Sequence, residues 1–323
     1  MFKYIVKRIL LLIPIILGVA AIIFVLKTFT PGDPARQILG NDATQEQVDA
    51  KREELGLNDP VVVQYVRYIG GIIKGDFGDS YRTGEPVLKE ILPRLATSAK
   101  ITIGAVAIGA ILGVLLGIIS ALKKYTWIDS LVLVISMLFQ SVPEFVVALV
   151  LILIFAVQLH VLPATGIDTM KGYILPMTCI GLASVASYTR ITRSSMLEVL
   201  GEDYIRTAKA KGQTDRNITY HHALRNAMIP VAQSIGTNLG NSIGGAMVLE
   251  TVFGVPGVGK YIVDSITQRN YPSVLGGALI IAIVLTIINL MVDISFVLID
   301  PRLKTTIISG GSKKKAVRKV KTA

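Results

Sequence analysis

Apolar residues dominate six long stretches of this chain, at residues 5–26, 99–122, 131–157, 173–188, 229–252 and 274–299. A helix rising about 1.5 Å per residue needs about 20 residues to cross a hydrocarbon core of about 30 Å, so each stretch reads as a membrane-spanning helix or nearly so. The fourth is the shortest, because Pro176 interrupts its start and Ser184, Ser187 and Thr189 dilute its end. Between the first two spans lies the one long polar segment. Its TQEQ is a capping-box pattern in which Thr44 caps a helix and Gln47 reaches back to it, and that helix is expected to stop at Gly56. A second helix is expected from NDP at residues 58–60 to Gly75, packed through Val63, Tyr65, Val66 and Ile69.

Several spans carry a second pattern. Ala105, Gly109, Gly113 and Gly117 repeat a small residue at every fourth position, as do Gly236, Gly240 and Gly244, and such stripes let membrane helices approach closely. Beside the latter stripe runs a polar one, Gln233, Thr237 and Asn241, flanked by Ser234 and Asn238. Helix faces this polar turn to a partner helix or a watery path, not to lipid. Two acids sit at membrane depth, where a carboxylate costs about 2.5–3.5 kcal/mol on insertion scales. Glu144 follows Gln140 and Pro143 in FQSVPEF; Asp293 shares a face with Thr286 and Asn289. Glu144 is the better pathway candidate, whereas Asp293 is equally compatible with an interhelical hydrogen bond.

Charge sets the expected orientation. The net charge is +11, and 52% of the 323 residues are hydrophobic, for a mean hydropathy of +0.60. Lys and Arg collect near the N-terminus, at Lys123 and Lys124, through residues 190–225 and in the basic tail, while acids outnumber bases between residues 28 and 94. Six spans with both termini in the cytoplasm satisfy the positive-inside rule throughout. The charge is thus a topology signal and no nucleic-acid footprint. The first apolar run is longer than a secretory signal core and lacks a small-residue cleavage site, so it is expected to be retained. A single cysteine, Cys179, and the isolated pair His221 and His222 point to no metal site and no disulfide framework.

The longest cytoplasmic loop, EDYIRTAKAKGQTDRNITYHHALRNAMIP, reads as a short helix, a break at Gly212 and a second helix, forming a knob. Its YIRTAKAKG followed by HALRNAMIP resembles the cytoplasmic "EAA" loop of the permease subunits of ABC importers for dipeptides, oligopeptides and nickel. The resemblance extends through RILLLIPIILGV, PGDP, LGLNDPVVVQY, GDFGDSY, SVPEF, LPATG, ETVFGVPGVGK and NLMVDISFVLIDPRLK. One departure is that Arg206, Thr207 and Ala208 stand where the family's name-giving Glu-Ala-Ala is expected.

The resemblance implies an all-α integral membrane protein of the type I ABC importer permease fold, in a bacterial plasma membrane. Its first transmembrane helix would occupy 1–27, an extracytoplasmic helical loop 28–96, a five-helix core 97–300 with a coupling loop at 190–228, and a basic cytoplasmic tail 301–323. It implies ATPase coupling through Tyr204, Arg206, Thr207, Ala208, Lys209, Ala210, Lys211 and Gly212. A pathway would involve Gln140, Pro143, Glu144, Gln233, Thr237, Asn238, Asn241, Asn289 and Asp293, with an extracytoplasmic gate at Glu250, Phe253, Pro256, Gly257 and Gly259. The partners implied are a second related permease, two ATPase subunits that hold ATP and magnesium, and an extracytoplasmic binding protein. This chain would bind no cofactor and catalyse nothing; its solute would be a short peptide, with nickel and glutathione as alternatives. A proton- or sodium-coupled transporter using Glu144 and Asp293 is the rival, disfavoured by the lack of a visible inverted repeat and an inner knob with no task.

Two motifs mislead by spacing. ETVFGVPGVGKY has the glycines and lysine of a phosphate loop, yet Tyr261 replaces the magnesium-binding hydroxyl residue and Pro256 removes a backbone donor. It is expected to be a tight turn between the last two spans. LPATG matches a cell-wall sorting signal but lies far from the C-terminus, and is expected to be a turn.

Overall fold

The computed structural model describes residues 2–29, 33–40 and 42–299; the expected basic tail at 301–323 lies outside the described residues. The first element is α1 (Phe2–Phe29), followed by α2 (Pro34–Leu39), α3 (Gln45–Glu54) and α4 (Val61–Ile73). The long helix α5 (Val87–Leu122) precedes α6 (Trp127–Ser141) and α7 (Glu144–Leu151), the last continuing in π-helical turns over Ile152–Gln158. Then come α8 (Ile174–Leu200), α9 (Asp203–Ala210), α10 (Asp215–Asn217), π-helical turns over Ile218–Ala223, and α11 (Leu224–Gly245). The described residues end with α12 (Met247–Val252), α13 (Val258–Thr267) and α14 (Tyr271–Ile299).

Four helices, α1, α5, α8 and α14, are long and apolar enough to cross a membrane, and α6 with α7 makes a fifth if the pair counts as one span. The pair is bent by 99°, so the single span expected over 131–157 is two helices meeting at a sharp break. Pro143 is the cause: it lacks an N–H, and it disfavours helical geometry at Val142, which is extended. Helix α11 is long too, but its Gln, Ser, Thr and Asn residues leave it short of the apolarity of a span. The fourth span is longer than expected, running to Leu200, because Thr189 and Thr192 are buried against α5 and do not meet lipid.

The glycine stripe of α5 brings it against α8. A β-carbon added at Gly109 would lie 2.7 Å from the Gly181 carbonyl oxygen, and one at Gly117 would lie 2.5 Å from the Thr192 β-carbon. Both distances are impossible for real atoms, so this contact requires glycine. In α11 the device recurs at Gly240, whose missing β-carbon leaves room for the Asn289 amide of α14.

At one end of the bundle, α2–α4 form the expected helical cap. Thr44 and Gln47 make both bonds of the capping box, and α3 ends at Glu54 with Leu55 as its cap, just before Gly56, which adopts φ +62°. Of the expected packed side of α4, Tyr65 does pack, while the placement of Val63 and Val66 is corrected, since both are exposed. The helix turns Tyr65 and Tyr68 to α1, where both rings meet Phe24 at 5.7 Å and the Tyr65 hydroxyl donates to the Leu17 carbonyl at 3.0 Å. At the opposite end sits α9. Its Ile205 and Ala208 are buried with Ala121, Met196, Ile218, Ala223 and Ala227, which joins it to the ends of α5, α8 and α11.

Candidate functional site

The break between α6 and α7 opens a cavity of about 340 Å³ between them and the middles of α8 and α11. Gln140 and Glu144 line it from the two sides of the break, Ser184 and Ser187 from α8, and Asn238 and Asn241 from α11. The structure thus gathers four expected pathway residues, 140, 144, 238 and 241, around one space. Gln140, Glu144 and Asn241 are exposed on the surface of the single chain, as are Gln233 and Thr237 further along α11. Such a polar surface at membrane depth cannot face lipid without leaving amides unsatisfied. The Thr237 hydroxyl partly answers its own need by donating to the Gln233 carbonyl at 3.0 Å. Asn289 and Asp293 belong elsewhere: Asn289 packs at Gly240, and neither residue lines the cavity. Pro143 shapes the cavity through the bend it causes.

At the α4 end, the ETVFGVPGVGKY segment builds an anion cradle around one of its own side chains. Helix α12 presents Glu250, which is 2% exposed, to the start of α13. The Lys260 N–H donates to one carboxylate oxygen at 3.0 Å, and the Ser98 hydroxyl of α5 donates to the other at 2.5 Å. Ser98 in turn accepts from the Val258 N–H at 2.9 Å. A helix N-terminus carries free N–H groups and a positive dipole end, so it suits an anion. The glycines make room. A β-carbon at Gly257 would sit 2.3 Å from the Glu250 carboxyl carbon, and one at Gly259 would sit 2.9 Å from its oxygen. Phosphate-loop spacing therefore does build a cradle of donors, but its occupant is the chain's own Glu250 carboxyl group. Phe253 is buried beneath this turn, Pro256 is exposed on it, and the Phe253 carbonyl accepts from the Gly166 N–H of LPATG at 2.9 Å. That contact gives the LPATG turn its task.

At the other end, α9 divides into two faces. Ile205 and Ala208 point into the bundle, while Arg206, Thr207, Lys209, Ala210, Lys211 and Gly212 are exposed. Tyr204 is also exposed and accepts from the Asn226 amide at 2.8 Å. Helix α9 ends in a Schellman motif, with the Gly212 N–H on the Lys209 carbonyl at 2.9 Å and the Gln213 N–H on the Ala208 carbonyl at 3.3 Å. Gly212 has φ +78°, which an L side chain adopts only under strain.

Above α9 lies an assembly that patterns in the sequence did not single out. Asp129, in the first turn of α6 and 4% exposed, receives Arg193 of α8 at both oxygens, Nε at 2.8 Å and Nη2 at 2.7 Å. The Ser120 hydroxyl of α5 and the Tyr125 N–H, the latter at 3.0 Å, complete its shell. One carboxylate thus ties three helices together. Its only sequence signal was an acid at the start of an apolar run, with a basic partner far along the chain. Among the described residues no group of three or more His, Cys, Asp or Glu side chains could hold a metal.

The chain matches the family model described as binding-protein-dependent transport system inner membrane component over residues 113–305, and the model of its N-terminal part over residues 1–102. A dipeptide transport system permease protein, DppB, of Alkalihalophilus pseudofirmus is 40% identical over 332 residues, covering 94% of this chain and 100% of that protein. The glutathione transport system permease protein GsiC of Escherichia coli K12 is 38% identical over 304 residues, covering 94% and 99%. Two solved structures share the fold. One, an amino acid ABC transporter with histidines, superposes with a TM-score of 0.50 at 16% identity over 67% of this chain and 95% of that one. The other, the MetNI methionine ABC transporter in an inward-facing conformation, gives 0.53 at 15% identity over 65% and 95%.

Proposed function

The chain belongs to the family of binding-protein-dependent transport system inner membrane components, multi-pass proteins of the bacterial inner membrane, and on that premise we propose that it is a permease subunit of an ATP-driven importer of short peptides. It contributes one half of the path. The observation that carries this is the cavity at the α6–α7 break together with the polar face of α11, both open on the surface of the single chain. A second, related permease closes that surface, so the polar groups of the two chains face a common watery route.

In this arrangement six spans cross the membrane, with α11 as the fifth and both termini in the cytoplasm. The α9 end faces the ATPase subunits, which hold the ATP and magnesium; this chain holds no cofactor and performs no catalysis. The α4 end faces an extracytoplasmic binding protein that delivers the solute. The exposed side chains Arg206, Thr207 and Lys209 meet the ATPase, and Ala208 anchors the knob from beneath. Because Ile205 and Ala208 are packed on the ends of α5, α8 and α11, a push on α9 moves those helices together. The Asp129–Arg193 pair carries the same movement to α6, and so to the break that shapes the cavity. Closure of the ATPase pair selects between two states of the path, and the solute biases the choice. Glu250, Phe253, Pro256, Gly257 and Gly259 form the extracytoplasmic gate, with the Glu250 cradle as its rigid part. Glutathione is the second solute reading, favoured by the relatives named for its transport.

The test is at Gly212. Proline there cannot adopt the positive φ of the Schellman motif, so the Gly212→Pro chain is expected to insert normally and assemble while its peptide uptake is lost. Normal uptake by that variant sinks the coupling role of α9.

A further inference from the structure

The cavity at the α6–α7 break contains one ionisable group, and it is an acid. Of the ten residues that line it, Glu144 alone carries a charge; the others are amides, hydroxyls or apolar side chains. No ion pair of the described residues includes Glu144, whereas Asp129 and Asp264 both have cationic partners. The backbone adds to the asymmetry. Helix α6 ends at Ser141 beside Gln140 with its last carbonyls unmatched inside the helix, while Glu144 opens α7, whose free N–H groups favour its negative charge, so the break offers acceptors and a fixed negative charge together. Broken helices whose C-terminal ends face a midplane cavity are cation sites in transporters of other folds.

The neutral groups narrow the kind of cation. A transition metal takes several thiolate, imidazole or carboxylate donors, and the cavity has one carboxylate. An ammonium group has three donors to place, which one carboxylate and two neutral oxygens can receive. Amides at Asn238 and Asn241 and hydroxyls at Ser184 and Ser187 both donate and accept, so they match the N–H and C=O of a peptide bond beside it. A volume of about 340 Å³ suits a small solute.

Resting on the pathway assignment above, we infer that Glu144 anchors the α-ammonium group of the solute in transit, with Gln140, Asn238 and Asn241 holding the adjoining amide. A dipeptide carries that ammonium one carbon from its amide; glutathione carries an ammonium too, but beside a carboxylate and three carbons from its first amide, so the site as built favours the dipeptide. No cation lines the cavity, so the carboxylate end of the solute is left to the partner permease.

The experiment uses the whole transporter, purified through this chain with the partners it retains, carrying Ala183→Cys, at a lining position with no polar role, in a Cys179→Ser background. Reaction of the new thiol with a small methanethiosulfonate reagent is timed with dialanine or glutathione present, each free or N-acetylated. At least one free-amine solute is expected to slow labelling, with its N-acetylated form needing about tenfold higher concentration, as for loss of one charge-assisted contact. Glu144→Gln is expected to erase that difference and Glu144→Asp to retain it; the solute that protects identifies the source of the ammonium. Equal protection by free and acetylated forms, or by neither, overturns the ammonium site while leaving the path intact. A thiol that reacts in no nucleotide state overturns the path assignment itself. The acetylation comparison needs no change at Glu144, so a Gln variant that fails to assemble does not blunt the test.

Discussion

The two ends of the bundle each bury a carboxylate, and they satisfy it by opposite means. Asp129, at the α9 end, faces a full positive charge, with Arg193 gripping both oxygens. Glu250, at the α4 end, faces neutral donors: a hydroxyl and the N–H groups at the start of α13. An ion pair spans helices through long side chains and tolerates a change of angle between them. A backbone cradle does not, since Gly257 and Gly259 hold the chain within contact distance of the carboxyl group. On the proposed roles, the contrast fits an α9 end that transmits movement and an α4 end that keeps its shape.

Breaking the arginine pair is expected to have the largest effect. Arg193→Met leaves Asp129 buried with its hydroxyl and N–H donors but no countercharge, which costs about 3–5 kcal/mol. Thermal unfolding of the purified chain in detergent should show a correspondingly large fall. Adding Asp129→Asn removes the stranded charge and is expected to recover about 1 kcal/mol or more. If the double variant is no better than the single one, the pair does not act as a unit.

A smaller loss is expected at the cradle. Glu250→Gln keeps the oxygen that the Lys260 N–H needs but turns the other into an amide that the Ser98 hydroxyl can only receive by giving up its own donation, so one bond is lost. That costs about 1–3 kcal/mol. The same unfolding measurement places it against Arg193→Met, and a larger loss at Glu250 would reverse the comparison. Because the cradle is rigid, solute transport by Glu250→Gln should fall with stability and recover at lower temperature, whereas a broken clamp should uncouple ATP hydrolysis from uptake even when folded.

Much of this was legible in the chain because it depends on neighbours in sequence. The capping box at Thr44, the stop at Gly212 and the close-packing stripe of α5 are local or periodic features, and the structure has each where the residues place it. The face of α4 was legible only at Tyr65. Val61, Val62, Val63, Val66, Ile69, Ile72 and Ile73 leave its helix apolar on more than one side, so the choice fell to Phe24 of α1, which receives the tyrosines. The bend at Pro143 was marked by the proline, but its 99° angle depends on how α8 and α11 receive the two halves. Asp129 and Arg193 lie 64 residues apart, and Ser98 and Glu250 lie 152 apart, beyond any periodic signal. The phosphate-loop spacing carried a real message about anion binding that only the third dimension could assign to Glu250.

The third carboxylate completes the comparison and yields the smallest expected change in stability. Glu144 has neither an arginine nor a cradle; it stands at the edge of a cavity, exposed on the single chain. A group that holds nothing together costs little to remove, so Glu144→Gln should shift unfolding by no more than about 0.5 kcal/mol in either direction. Its uptake should nonetheless fall well below that of the parent chain at matched protein levels. For Asp129 and Glu250, stability and transport decline together or through coupling; for Glu144 alone they should separate. A stability loss at Glu144 as large as that at Glu250 would make it a structural acid like the other two, and its place beside the cavity would then reflect helix packing at the break and no contact with solute.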